Sequence, residues 1–218
     1  MLDVNETLLD VGALDDFFVD LAGAIDARRE WFDLLIHHAL AVTAAGGYRP
    51  FGEIAGACLV PVVAAHGGRA TPEHQRELGE RLRRLPAHPE VAGAIGRLRE
   101  AGFDVVTLTN SVAAVAEDQL ANSGLRPLVD AVYSADQVRR LKPAPEPYRL
   151  VLADRGVAPE QAVLVAAHGW DIVGASAVGM ATAFISRDGR VPLPAAEALT
   201  LVAGDLEDAA GQLIARYS

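Results

Sequence analysis

A short acidic stretch near the start of the chain has the residue types needed for nucleophilic catalysis. It reads Asp3-Val4-Asn5-Glu6-Thr7, and Asp3 lies within the segment LDV, which is typical of the end of a buried strand. A carboxylate is a weak nucleophile in water, so catalysis by Asp3 requires desolvation, a fixed orientation and a positive partner. We expect backbone N–H groups of the following turn to hold Asp3, and Thr7 to fix that turn.

Lys142 is the candidate for the positive partner. It opens the segment KPAPEP, whose prolines favour a rigid extended backbone that fixes where the lysine points. Such a charge would keep Asp3 ionised and stabilise anionic intermediates. The alternative is a surface lysine at a helix end. Thr109 and Asn110 offer donors for a substrate carboxylate; the alternative is that they cap the helix that begins near Val112, and the two roles are compatible.

Two kinds of sequence pattern indicate how these residues are positioned. From Leu14 to about Arg84, apolar residues recur every three or four positions, which predicts helices, one of them capped by Thr71 and begun by Pro72. After His88, short β-branched strands alternate with helices, which predicts a parallel sheet covered on both faces. Ligands bind beyond the carboxyl ends of such strands. The polar residues expected there are Asp3, Thr109, Asn110, Ser134 and the stretch from His168 to Asp171.

The composition limits the class of protein. The 218 residues are 51% hydrophobic and 22% charged, as in a globular domain, and the net charge is −10. We therefore expect no nucleic-acid and no anionic-membrane partner. Cys58 is the sole cysteine, which excludes an intrachain disulfide, and its apolar surroundings predict a buried thiol. With no signal-peptide pattern and no apolar run of ~18 residues, we expect a cytoplasmic protein.

Four stretches together resemble the motifs of the haloacid dehalogenase (HAD) superfamily, in the same order. They are Asp3 to Thr7, Leu108-Thr109-Asn110, Lys142-Pro143 and Trp170-Asp171. The resemblance implies an α/β fold: a Rossmann-like HAD core with a parallel sheet, formed by residues 1–12 and 88–218, and an inserted all-helical cap domain, residues 13–87. It also implies an ester intermediate on Asp3, with Thr7, Lys142 and Asp171 as the other catalytic residues.

The residues around the motifs separate two branches of this superfamily. Its magnesium phosphatases carry acidic residues where this chain has Asn5 and Ala167; Asn does not release a proton to a leaving alkoxide, and Ala does not bind a hard cation. The chain more closely resembles the metal-free type II 2-haloacid dehalogenases, which implies attack of Asp3 on C2 of a short (S)-2-haloacid and a water positioned or deprotonated by Asp171. No cofactor is then expected, and Mg²⁺ only if the phosphatase alternative holds. The residues expected to bind the small carboxylate substrate are Asn5, Thr109, Asn110, Tyr148, His168 and Trp170.

Two sites depart from the dehalogenase pattern. The cap arginine that binds the halide in those enzymes aligns approximately with Leu34, and the substitutes considered are Arg28, Arg29, His37 and His38. Ala166 and His168 stand where those enzymes have Ser and Asn, so His168 is either a hydrogen-bond donor or base, or a histidine satisfied within the structure. These departures motivate two further alternatives, opening of a strained-ring acid by C–N cleavage and a non-catalytic binding protein.

Two features of the chain's organisation remain open at this point. Only two residues precede Asp3, whereas a strand usually has about five, which favours coding sequence upstream of Met1 over a shortened strand. The apolar segment FGEIAGACLVPVV is either internal packing or a homodimer surface; the resemblance is compatible with a homodimer, since family members are often dimers.

Overall fold

A parallel sheet forms the centre of the molecule in the computed structural model, which describes residues 1–193 and 199–217. Its strands are β1 (Val106–Thr109), β2 (Ala131–Ser134), β3 (Val163–Ala166), β4 (Ala181–Ile185) and β5 (Leu201–Ala203). The first residues of the chain lie between β1 and β3: Leu2 N donates to Val106 O at 2.8 Å, and Asp3 N donates to Val165 O at 3.0 Å. The order across the sheet is therefore β2, β1, residues 1–3, β3, β4, β5.

Helices cover both faces of this sheet because its side chains alternate between them. These helices are α5 (Val91–Glu100), α6 (Ala113–Asn122), α7 (Pro145–Arg155), α8 (Gly169–Ala177) and α9 (Leu206–Tyr217). Leu164 belongs to the same apolar cluster as Val151 of α7, whereas the next residue, Val165, belongs to the cluster that contains Leu98 of α5 and Leu213 of α9. The period of two along a strand thus builds two cores from one sheet.

Four consecutive helices lie between the first residues and the rest of the sheet. They are α1 (Asp15–Ala22), α2 (Ala27–Ala44), α3 (Phe51–Ala65) and α4 (Pro72–Leu82). Trp31 of α2 is buried, and its Nε1 donates to Ala55 O of α3 at 2.8 Å. The predicted start of α4 is confirmed: Thr71 Oγ1 accepts from His74 N, and Pro72 is the first helical residue.

The chain enters and leaves this helical segment through two neighbouring stretches. Asp10 N donates to Pro86 O at 2.8 Å, and His88 N donates to Leu8 O at 2.9 Å. The two stretches run antiparallel, with a bridge between Leu9 and Ala87. The four helices are therefore an insertion that interrupts the sheet and returns to the point where it left.

The predicted α/β class with an inserted helical segment is confirmed, whereas β5 and α9 were not predicted. β5 has three residues, too few for a period to show. In contrast, α9 carries buried Leu206, Ala209, Ala210 and Leu213 at helical spacing, a signal that the sequence does contain.

The apolar segment of α3 packs mainly inside the molecule. Cys58, Leu59 and Val63 are buried, as expected for a structural thiol and its neighbours, while Val60 is 43% exposed. Across residues 1–193 and 199–217, the helices are too short or too polar to span a lipid bilayer.

Candidate active site at the carboxyl edge of the sheet

Asp3 is a buried carboxylate surrounded by donors. Its Oδ1 accepts from Lys142 Nζ at 2.8 Å, its Oδ2 accepts from Thr7 Oγ1 at 2.6 Å, and His168 Nδ1 lies 3.3 Å from Oδ2. Burial by itself would raise the pKa of Asp3, but the charge of Lys142 and the contact with His168 hold that pKa well below its usual range. Asp3 is therefore ionised while shielded from water, the state that a carboxylate nucleophile needs.

Thr7 connects the turn after Asp3 to the neighbouring strand. While its hydroxyl donates to Asp3, the same oxygen accepts from Ala167 N at 3.0 Å, just beyond β3. The side chain thus fixes both the Asp3 carboxylate and the turn, as expected from the sequence.

Lys142 is the only lysine of the sequence, and it lies at the centre of the site with 1% exposure. Its three N–H donors bind Asp3 at 2.8 Å, Asp171 Oδ2 at 2.6 Å and Leu108 O at 2.9 Å. Burial would lower the pKa of Lys142, yet the carboxylates of Asp171 and Asp3 raise it above its ordinary value. The surface-lysine alternative is therefore wrong.

Asn110 holds the backbone of Lys142. Its Oδ1 accepts from Lys142 N at 2.7 Å, and its Nδ2 donates to Lys142 O at 3.4 Å. Thr109 Oγ1 accepts from Ser111 N at 3.2 Å. The helix-cap alternative for both residues is wrong, because Val112 is the N-cap of α6 and no side chain caps it. The Lys142–Pro143 peptide is cis.

Asp171 and Tyr148 form the deepest layer of the site. Asp171 has no exposure; its Oδ1 accepts from Tyr148 Oη at 2.5 Å and its Oδ2 accepts from Lys142. Burial raises the pKa of Asp171, and Lys142 only partly offsets this rise because Asp3 adds a second negative charge. Burial and the neighbouring Asp171 also raise the pKa of Tyr148 well above its ordinary value, so its hydroxyl remains a donor.

His168 lies between two aromatic rings, with Phe32 at 5.6 Å and Trp170 at 5.1 Å between centroids, both stacked. Its Nε2 lies 2.8 Å from Glu6 Oε2, on the opposite side of the ring from Asp3. Burial would lower the pKa of His168, but its bonds to Asp3 and Glu6 raise it to about 9. At neutral pH the ring is an imidazolium, and its charge acts directly on the Asp3 carboxylate.

Glu6 and Arg190 complete this network and were not predicted. Glu6 has a left-handed backbone (φ 62°), which turns its carboxylate back towards His168. Arg190 donates to both oxygens of Glu6, at 2.7 and 3.0 Å, and Arg28 Nη1 lies 3.7 Å from Oε1. The position of Glu6 beside the nucleophile was an available signal, whereas the sequence gives none for Arg190, 184 residues away.

A hollow of about 250 Å³ lies between the helical segment and the sheet edge. Its lining includes Trp31, Phe32, Leu35, Phe51, Asn5, Ser111 and Gln119. A more open hollow of about 340 Å³ lies beyond Phe32 and is lined by His168, Trp170 and Arg190 among others. Mostly apolar walls with a few polar groups suit a small organic molecule.

The remaining residues predicted for the site lie at its rim. Asn5 accepts from Gln119 Nε2 at 2.9 Å and borders the smaller hollow. Trp170 covers His168, and its ring centroid lies 5.7 Å from Lys142 Nζ. Ser111, which was not predicted, lines the hollow directly after Asn110, so the strand-end signal extends one residue further than expected.

The structure separates the residues considered as substitutes for the cap arginine. Leu34 packs against the apolar core, and it is Leu35 that faces the hollow. Arg29, His37 and His38 are exposed. Arg28 is buried and faces Glu6, so it is the cap cation that approaches the site network.

Comparison with known proteins places this geometry in a family. The model of the haloacid dehalogenase-like hydrolases matches residues 1–179. (S)-2-haloacid dehalogenase 1 of Pseudomonas sp. (strain CBS-3) is 26% identical over 189 residues, 86% of this chain and 83% of that protein. Phosphoserine phosphatase of Thermus thermophilus is 32% identical over 142 residues, 63% of this chain and 57% of that protein.

A solved structure shows the same fold over the full length. L-2-haloacid dehalogenase from Xanthobacter autotrophicus with covalently bound chloropropionic acid superposes with a TM-score of 0.91 at 22% identity, covering 100% of this chain and 98% of that one. The chain belongs to the haloacid dehalogenase-like hydrolases. It is a hydrolase with a Rossmann-like core and a helical cap.

Proposed function

We propose that this protein is a metal-independent dehalogenase that converts short (S)-2-haloacids to 2-hydroxyacids through an ester on Asp3. The observation that carries the proposal is the buried Asp3 carboxylate, held 2.8 Å from Lys142 and 3.3 Å from His168, two residues before Asn5, which lines a mostly apolar hollow. The names of the dehalogenase relatives support the substrate class.

The first step is displacement of halide at C2. An oxygen of Asp3 forms a bond to C2 as the carbon–halogen bond breaks, and the negative charge leaves with the halide. Lys142 and Thr7 fix the carboxylate in place; alignment of this kind supplies roughly 7–11 kcal/mol of a barrier in intramolecular models. The apolar walls around the hollow keep water from competing with Asp3.

The second step is attack of water on the carbonyl carbon of the Asp3 ester. Because water attacks Cγ of Asp3 and not C2, the single displacement at C2 inverts its configuration. Asn5, Thr109, Asn110, Ser111 and the backbone around them are proposed to bind the substrate carboxylate. In that role Asn110 would contact the substrate while its Oδ1 also accepts from the backbone N–H of Lys142.

We also propose that the reaction needs no cofactor. The positions that would supply a phosphatase's general acid and its additional metal-binding acid hold Asn5 and Ala167, and Ala167 offers no side-chain oxygen. The ammonium of Lys142 already forms an ion pair with each of the two buried carboxylates, where a metal ion would otherwise bind. The residues present therefore do not fit a Mg²⁺ ion well.

Incubation with (S)-2-chloropropionate tests the proposal. We expect halide release that is unaffected by chelator, an adduct on Asp3 by mass spectrometry, and complete loss of both in Asp3→Asn. A folded protein that releases no halide from 2-chloropropionate, 2-bromopropionate or chloroacetate would contradict the proposal.

A phosphatase is the second candidate, because one of the relatives is named phosphoserine phosphatase. It predicts turnover of an aryl phosphate that depends on added Mg²⁺ and disappears with chelator. A strained-ring acid in the same assay series tests C–N cleavage. Each activity has a distinct product, so the three reactions are separable in one screen.

The organisation of the protein forms part of the same proposal. The paired stretches around Leu9 and Ala87 support a cap of residues 13–87 on a core of residues 1–12 and 88–218.

Exposed Val19, Ile25 and Val60 offer apolar surface for a homodimer, which sedimentation would detect. A cytoplasmic location is proposed from the sequence and is tested by cell fractionation.

A further inference from the structure

Hydrolysis of the ester needs a base, and Asp171 is poorly placed to be that base. One oxygen of Asp171 accepts from Tyr148 and the other accepts from Lys142, and the side chain has no exposure. Water would have to displace one of these donors before Asp171 could take its proton. Asp171 is better suited to holding Lys142 in position.

His168 has the geometry that Asp171 lacks. Its Nδ1 points at Asp3 from 3.3 Å, and the ring borders the open hollow of about 340 Å³, from which water can reach it. Glu6 fixes Nε2 at 2.8 Å. A carboxylate on Nε2 keeps the proton of a neutral imidazole on that nitrogen, so the lone pair of Nδ1 faces the ester.

We propose that His168 is the general base of ester hydrolysis, that Glu6 positions it, and that formation of the ester switches His168 from proton donor to proton acceptor. The inference rests on the proposed function, because it requires an ester on Asp3.

The switch follows from the charges around the ring. Asp3 and Glu6 contact His168 directly, Arg190 and Arg28 bind Glu6 from behind, and Asp33 of α2 lines the same hollow. While Asp3 is ionised, the two carboxylates raise the pKa of His168 to about 9. An ester has no charge, and the charge of Glu6 is already balanced by arginine, so burial then lowers the pKa of His168.

Atoms and protons balance over the cycle. As the bond from Asp3 to C2 forms and halide leaves, the imidazolium releases one proton to solvent. Neutral His168 then takes a proton from water while the water oxygen bonds to Cγ of Asp3. The bond between Cγ and the product oxygen breaks, and that oxygen receives the proton from His168. The carboxylic acid of Asp3 finally returns its proton to His168, which restores the starting state.

Rapid quenching of His168→Asn with (S)-2-chloropropionate tests the assignment. We expect about one halide per active site at close to the wild-type rate, followed by an ester that persists and is hydrolysed at least about 100-fold more slowly, the usual scale of general-base catalysis. His38→Gln, an exposed histidine on α2, is the matched control and should behave as wild type. In weakly buffered solution, formation of the ester should release one proton per halide from the wild-type protein and none from His168→Asn.

Glu6→Gln provides a readout that a structural role would not change. Ester hydrolysis requires neutral His168, so its rate should rise with pH to a plateau. Loss of the Glu6 charge lowers the pKa of His168, so the midpoint of that rise should move to lower pH. An unchanged midpoint would contradict the role of Glu6.

The outcomes separate the two proposals. Ester formation by wild type together with hydrolysis in His168→Asn within about threefold of the wild-type rate would overturn the inference and leave the proposed function standing. No ester and no halide from wild type would overturn the proposed function, and the inference with it.

Discussion

At the scale of single residues, the site depends on one ammonium shared by two buried carboxylates. Lys142 suits this place because a compact ammonium with three donors meets three acceptors, whereas a planar guanidinium does not match that arrangement. An unpaired buried carboxylate is costly. The lysine therefore stabilises the fold and keeps Asp3 ionised with the same charge.

Lys142→Met should lower the free energy of unfolding by about 3–5 kcal/mol at neutral pH, the usual cost of breaking a buried ion pair. The loss should become smaller as the pH falls, because protonation neutralises the carboxylates of Asp3 and Asp171. Urea unfolding at pH 7 and pH 5 measures this. Arg155→Met, which breaks an exposed pair with Asp104, is the control and should cost under about 1 kcal/mol. An equal loss at both pH values for Lys142→Met would contradict the electrostatic explanation.

The raised pKa of His168 predicts how stability depends on pH. A group whose pKa is higher in the folded state stabilises fully below its unfolded value of 6.5, and this contribution is lost as the pH rises through about 9. The difference between the two pKa values corresponds to roughly 3–4 kcal/mol. Wild-type protein should lose stability over this window relative to His168→Asn in urea titrations. Parallel pH curves for the two proteins would disprove the elevated pKa.

The positions of the four residues expected to be catalytic were predictable from the sequence, whereas the network behind them was not. Asp3, Thr7, Lys142 and Asp171 lie at positions where spacing and the family resemblance agree, and all four meet in the structure. Glu6 reaches His168 because its own backbone is left-handed. Without a glycine, the sequence contains no signal for such a left-handed turn. Arg190 reaches Glu6 across the molecule, so local patterns contain no information about this pair.

At the scale of elements, the close approach of α8 to the loop after Lys142 positions the deepest layer of the site. A Cβ at Gly174 of α8 would lie 2.5 Å from Tyr148 Oη and 2.7 Å from Pro143 Cβ. Only glycine allows this approach, so Tyr148 can reach Asp171. The sequence predicted that helices alternate with strands after His88, but it could not show that α8 contacts Tyr148 of α7 and Pro143 here.

Gly174→Ala should push α8 away from Tyr148, lower the free energy of unfolding by about 1–3 kcal/mol, and reduce kcat by weakening the contact of Tyr148 with Asp171. Gly96→Ala on α5 is the matched control. Within residues 1–193 and 199–217, no atom outside the neighbouring residues and the backbone of its own helix lies within 4 Å of the added Cβ there, and alanine favours a helix. Thermal melts and steady-state kinetics compare the two variants. A Gly174→Ala protein as stable and active as wild type would show that the contact is unimportant.

At the scale of the whole molecule, the cap and the sheet share one apolar cluster. Leu35 and Val62 of the helical segment belong to the same cluster as Leu98, Ile185 and Leu213 around the sheet. A continuous core of this kind favours cooperative unfolding of the whole chain. The sequence predicted two regions from their different patterns, but it could not reveal that their interiors are joined, because that depends on packing across distant segments.

The single cysteine tests this cooperativity. Cys58 is 2% exposed in α3, and burial raises the pKa of its thiol, so native protein should resist a thiol reagent and react fully once unfolded. Its labelling rate across a urea series should give the same free energy as unfolding measured by circular dichroism. Labelling at much lower urea would mean that the helical segment opens alone.

The stacked rings around His168 come from two different parts of the chain. Phe32 belongs to the inserted helices, whereas Trp170 begins the helix that follows β3. Any hinge motion wide enough to exchange product for fresh substrate would strip the imidazole of one aromatic cover and admit bulk solvent. Reprotonation of His168 and the exchange of product for substrate would then depend on the same opening motion.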